Sequence, residues 1–337
     1  MAVGGLSRLA AAAPAPVYAV AGKDGLAAVE DISLHPAVSL QATPRHASLL
    51  LVCGRVREED HQALRRLHDQ LPHPRATLCW RTTPAPGFAS GETIEAEPGG
   101  AIHSLWQRLM SGEQSSEDDL LPDEPPAPWR GKGDHGQGGK GMMGSKPYGR
   151  PMAMTDEDRR DGLALDAYRA CFGPFLPMLP AGLLLELTLQ SDVVQSARVL
   201  RPPFAQSGAD GPLRRIARLL RPLGLAGPAA RFLKAARAGT VDIGTLRRSL
   251  RWSGAWYAIP PGLGEIAGED IRARLHRWCD EAQGAAASAP SRDGRLADLL
   301  PGLEWSEAIL VANSFEHDAL QDLCGPGRGS PDQQGSS

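Results

Sequence analysis

Five cysteines (Cys53, Cys79, Cys171, Cys279, Cys324) and nine histidines carry the metal-ligating and proton-transferring groups of this sequence. Thiolate sites for zinc or iron–sulfur clusters need cysteines in close pairs, and no two of the five stand in a C-x-x-C or similar spacing. His61 and His68, seven apart, share a helix face without a carboxylate or thiol at ligand spacing. No G-x-S-x-G elbow is present to expose a nucleophilic serine. The Gly-rich run 131–145 resembles an anion cradle, but it lacks G-x-x-x-x-G-K-[ST] and the flanking strand and helix of a phosphate loop. Its one His and two Met are too few for a metal tract. The remaining signal is charge. Between Gly211 and Asp280 there are thirteen Arg or Lys against five acids, in a chain of net charge −3. Arg214, Arg215 and Arg218 head that stretch and read as a docking face for an acidic partner or anionic lipid head groups. Without a recognisable binding motif or interleaved aromatics, nucleic acid is not the expected partner.

The elements that must position these residues are legible in the periodicity. Val17–Ala21 reads as a short buried strand, and Ser48–Cys53, closing on Gly54, is a continuous apolar run of the kind found in a parallel sheet covered on both faces. Leu64, Leu67 and Leu71 give an amphipathic helix over 58–71, stopped by Pro72 and Pro74. Ala76–Trp80 is a further strand, and Ile102, Leu105, Trp106 and Leu109 share one helical face. The strand–helix–strand rhythm predicts an α/β domain with a small, mainly parallel sheet flanked by helices.

Beyond it, the region 113–124 holds six acids and no bases, and 122–151 holds eight Gly and six Pro, so 113–158 reads as a linker or a wrapping arm. The second domain, 159–323, opens with a β-hairpin: Leu183, Leu185, Leu187 and Leu189 alternate with Leu184, Glu186, Thr188 and Gln190, and Ser191-Asp192 turns the chain into 193–200. Arg-rich helices follow, one on the stripe Leu213, Ile216, Leu220, Leu223 and one on Ile271, Leu275, Trp278, Cys279, opened by Glu269 and Asp270. Ala308–Ala312 reads as a buried strand, and 324–337 as a disordered tail. The Ala-rich start, Met1–Ala21, has prolines inside its apolar part and is not read as a signal peptide. No run approaches the roughly 20 apolar residues of a spanning helix, so membrane contact is expected through partners.

Ala42-Thr43-Pro44-Arg45-His46, the strand to Gly54, Ala63-Leu64-Arg65, Asp69-Gln70-Leu71-Pro72 and Pro74-Arg75 together resemble the 20 kDa subunit of NADH:quinone oxidoreductase (respiratory complex I) and the small subunit of nickel-iron hydrogenases. Glu97-Pro98-Gly99-Gly100 and its following helix resemble that family's Pro-Gly-Cys-Pro-Pro segment. More weakly, Gly173-Pro174-Phe175-Leu176-Pro177, Ala181-Gly182-Leu183 and the hairpin resemble the start of the 49 kDa subunit, whose loop lies beside the quinone head group. The departures matter. The four-iron cluster of that family needs a tandem Cys pair, absent here; Thr83 and Gly100 stand near where its other two ligands fall, so no cofactor is expected and a cluster is not supported. Leu176 and about Pro180 replace the quinone-side histidines, and the nickel cysteines are missing.

The resemblance therefore implies a fused pair of the two subunits that has lost its cluster and quinone residues. The expected role is a non-catalytic, accessory peripheral subunit of a complex I-like or membrane-bound-hydrogenase-like assembly. It would lie on the cytoplasmic side against membrane-embedded, ion-translocating subunits, with Arg45, Arg214, Arg215 and Arg218 at the interface. Two other readings stay open: a working electron-transfer subunit with an unusual or borrowed cluster, and a free-standing cytosolic binding protein that reuses the fold.

Overall fold

The computed structural model describes residues 11–88, 92–94, 98–122, 154–157, 164–208, 210–239, 242–286 and 294–325. The first lobe is α/β. Strands β1 (Ala15–Ala21), β2 (Val38–Leu40), β3 (Leu49–Cys53), β4 (Ala76–Trp80) and β5 (Glu92–Ile94) form one all-parallel sheet in the order β2-β1-β3-β4-β5. The continuous apolar run of β3 puts it at the centre, where both faces are covered. Leu49, Leu51 and Cys53 face helices α1 (Leu26–Ile32) and α3 (Pro98–Ser111). Leu50 and Val52 point the other way, toward Leu64 of helix α2 (His61–His68), Leu71, and Phe204 from the second lobe.

The first lobe runs past the boundary expected at residue 112. Glu117, in the acidic run read as a linker or a wrapping arm, is buried. Its carboxylate accepts from the Thr77 N–H (2.9 Å) and hydroxyl (2.7 Å) on β4 and pairs with His68 Nε2 (2.9 Å). Asp69 then accepts from the N–H groups of Leu120 and Leu121, both at 2.9 Å. The rest of the expected connector up to residue 153, including the Gly-rich run, and the tail beyond residue 325 lie outside the described residues.

The second lobe carries an antiparallel sheet, β6 (Met154–Glu157), β7 (Ala164–Phe172), β8 (Leu184–Gln190) and β9 (Val193–Arg201), in chain order. The hairpin β8–β9 turns through Ser191-Asp192 as the alternation predicts, with Ser191 in the left-handed region. Leu183, Leu185, Leu187 and Leu189 enter a core shared with helices α4 (Pro212–Leu220), α5 (Ala226–Ala238), α6 (Ile243–Trp252), α7 (Ala255–Ala258), α8 (Ile271–Glu281) and α9 (Leu296–Leu299). Asp270 caps α8, its carboxylate accepting from the Ala273 N–H. Ala308–Ala312 is helical, contrary to the strand expected there: it ends α10 (Trp305–Ala312), which starts at a capping box formed by Glu304 and Glu307. A short apolar run does not distinguish a buried strand from a buried helix, and here the cap decides. The last described helix is α11 (His317–Cys324).

Candidate functional site

In open parallel sheets ligands bind outside the carboxyl ends of strands, where the strand order reverses; in this order that point lies between β1 and β3. Here the chain itself fills it. Gly22 N–H donates to Cys53 O (2.7 Å), and Lys23 and Arg55 exchange backbone hydrogen bonds across the gap. The segment after β9 then lies over this seam. The Gln206 amide donates to Gly22 O (2.8 Å) and accepts from the Leu26 N–H (3.0 Å), occupying the start of α1. Asp24 accepts from both the N–H and the hydroxyl of Ser207, each at 2.7 Å, which holds its carboxyl below the usual range.

A cavity of about 670 Å³ opens beside this plug, between the lobes. Its walls are the ends of β1 and β2 with Gln41, the loop 174–181, and the ends of α1, α4, α5, α10 and α11. Most of the lining is apolar, including Val29, Leu176, Leu179, Leu233, Ile309 and Phe315. The loop is tied to the sheet by Tyr18, whose hydroxyl donates to Phe175 O (2.8 Å). Gly173 and Gly182, at positive φ, bracket the loop, and a Cβ on Gly182 would enter the Phe204 ring.

Polar residues of the wall outside that loop are Ser33, Gln41, Ser306, Asn313 and three basic side chains. Arg221 donates to Ser33 Oγ (3.0 Å), and burial lowers its pKa. Arg218 joins Asp210 (2.8 Å) and Glu30 (3.7 Å), and donates to His317 Nε2. With Nε2 accepting, the proton of the neutral His317 ring lies on Nδ1, which has no hydrogen-bond partner among the described residues. Burial, followed by the neighbouring Arg218 charge, pushes the His317 pKa down to about 3. The ring is therefore a neutral hydrogen-bond donor near neutral pH.

This depression makes stability pH-dependent in a defined window. Above about pH 6.5 neither the folded nor the unfolded ring binds a proton; below it only the unfolded ring does, so stability falls progressively toward pH 3. Between pH 7 and 5 the expected loss is about 2 kcal/mol. The carboxylates of Glu117, Glu316 and Asp69 are held below their usual range by hydrogen bonds that outweigh burial, and they contribute only at lower pH. Urea midpoints for the parent chain and His317→Phe at pH 7 and 5 check this: the variant should lose most of the slope, and an equal slope would refute the assignment.

The arginines expected to form an external interface are brought together, but toward acids of the same chain. Arg214 pairs with Glu30 (2.7 Å) and Asp31 (2.8 Å), and Arg215 with Glu281 (2.8 Å), Glu316 (3.4 Å) and Asp210 (3.5 Å). With Arg218 they join α4 to α1, α8 and α11. Arg45 is separate and exposed, in a single 3-10 turn over Pro44–His46. Glu30 and His317 were not singled out from the sequence. Glu30 left a signal, a carboxylate four residues after Leu26 on an otherwise apolar helix face; His317 left none.

The cluster geometry implied by the resemblance does not fit these residues. Cys53 and Cys79 are buried within adjacent strands, and burial pushes both thiols up, Cys79 to about 11, away from the thiolate that ligation needs. Thr83 and Gly100 offer no sulfur. Among the described residues no three His, Cys, Asp or Glu side chains gather to hold a metal ion, and no helix is long and apolar enough to cross a membrane. No protein-family model matches the chain, and no curated protein matches it.

Proposed function

We propose that the chain is a non-catalytic, accessory peripheral subunit of a complex I-like assembly, which keeps a binding cavity between its two lobes. The observation that carries this reading is the cavity wall: an apolar enclosure with Arg218, Arg221 and His317 in its lining, the last a ring far too weakly basic to exchange protons near neutral pH. Such a site suits a molecule with an apolar body and a carbonyl acceptor. It binds without supplying a general acid or base. The resemblance adds the occupant, since the 173–182 segment resembles the loop that lies beside a quinone head group in the 49 kDa subunit family. The same loop here forms one side of the cavity, with Leu176 and Pro180 in its lining.

Two measurements test the reading. Decylubiquinone titrated into the purified chain should bind, and Ala230→Trp, which projects an indole from α5 into the cavity, should weaken that binding at least tenfold with the melting temperature little changed. Equal affinity in the variant would move the occupant elsewhere. Mild detergent extraction of the tagged chain from its native membranes should also recover antiporter-like membrane subunits. Recovery of the chain alone, still binding quinone, would favour the free-standing binding protein instead.

A further inference from the structure

Four large hydrophobic side chains are exposed among the described residues, and two of them sit at one corner: Trp252, 83% exposed at the end of α6, and Tyr257, 88% exposed in α7. The corner is rigidly built. Gly254, at φ 81°, turns the chain between the two helices. Leu250, Ala255 and Ile259 are fully buried on the inner side, and Trp256 stacks on His276 with ring centroids 4.1 Å apart. With their backbone anchored this way, Trp252 and Tyr257 project outward as a consequence of helix phase.

Arginines surround the tip. Arg248 and Arg251 on α6 are exposed, and Arg231 reaches across from α5 to Ser249 (2.8 Å). Two acids lie near them: Asp242, which accepts from Thr245 as the cap of α6 and also feels the Arg248 charge, and Asp280, which pairs with Arg247; Arg251 and Arg231 leave the tip net basic. The corner therefore presents positive charge together with aromatic rings that have an apolar body and a polar edge. That combination matches the interfacial zone of an anionic bilayer, where Trp and Tyr settle at the headgroup level and each nearby basic residue adds to the attraction. Trp, Tyr and Arg also occur at protein interfaces, an outcome that the experiment below separates.

We propose that the α6–α7 corner docks the protein on an anionic lipid surface, with Trp252 and Tyr257 entering the headgroup region and Arg248 and Arg251 against lipid phosphates. This deepens the membrane-peripheral reading above by naming a lipid contact that the chain makes without partner subunits. Sedimentation of the full chain with sucrose-loaded vesicles tests it directly. Vesicles of phosphatidylcholine with about 30 mol % phosphatidylserine should bind the chain at least tenfold better than phosphatidylcholine alone, and raised salt should reverse most of that difference. Trp252→Ala combined with Tyr257→Ala, and separately Arg248→Glu with Arg251→Glu, should each reduce binding about tenfold with unchanged melting temperatures.

Parent and variants sedimenting alike, or equal binding to neutral and anionic vesicles, would overturn the proposal. So would variants that keep vesicle binding but lose recovery of membrane subunits, because the corner would then be a protein contact. Vesicle binding without recovery of those subunits would leave the docking corner standing and count against the assembly.

Discussion

Glu30→Ala is expected to lower the unfolding free energy by about 3–5 kcal/mol, because it removes one side of a buried ion cluster and leaves the other side uncompensated. Glu30 is fully buried on α1, and burial pushes its carboxyl up against the pull of Arg218, Arg214 and Arg221. Its only way to remain ionised is through those arginines, and theirs to be buried is through Glu30, Asp31 and Asp210. Urea unfolding of the single variants and of the Glu30→Ala, Arg214→Ala pair separates coupling from simple loss. The pair should cost less than the two singles added together, by about 2 kcal/mol. A cost under about 1 kcal/mol for Glu30→Ala would show that the lobes hold together without the cluster. Charge reversal at Arg214 is accordingly expected to unseat the lobes.

Gly25→Ala should cost at least about 4 kcal/mol, in the range where folding itself is threatened. The backbone of Gly25 is in an ordinary helical conformation, so conformational freedom is not the reason. A Cβ there would overlap the Cys53 carbonyl oxygen and carbon, atoms fixed by the central strand of the sheet. Neither neighbour can yield, since the same seam holds the Gly22–Cys53 and Lys23–Arg55 backbone bonds and the Gln206 plug. Gly100→Ala is the matched control. That glycine lies in helix α3 with nothing within 4 Å of a built Cβ, so the substitution should gain about 0.5–1 kcal/mol of helix propensity. Thermal or urea unfolding of the two variants side by side checks both. A small loss for Gly25→Ala would mean that the β1–β3 seam opens readily, and the plugged switch point would again be available to a ligand.

The parts that could be read without the structure are those set by local periodicity. Ser48–Cys53 had no polar alternation, and β3 is the strand covered on both faces. The alternation of Leu183–Gln190 gave the hairpin and its two-residue turn, and Asp270 before Ile271 gave a capped helix. Ala308–Ala312 was misread because five apolar residues fit either element; the capping pair that distinguishes them stood three residues apart at Glu304 and Glu307. Of the candidate site, the loop 174–181 was marked only by its resemblance to the 49 kDa-subunit segment, and Arg218 by local charge.

By itself, then, the sequence determined which faces of which segments are apolar, and hence an α/β lobe followed by a hairpin and helices. What those faces meet was decided only by the tertiary structure. Arg214 and Glu30 are 184 residues apart, and Gln206 and Gly22 also 184. Whether an arginine faces water, lipid or a buried carboxylate depends on the chain that topology brings opposite it, which helix periodicity does not encode. The cavity belongs to the same class of property. It exists because two lobes, each locally specified, close around a loop without filling the space between them.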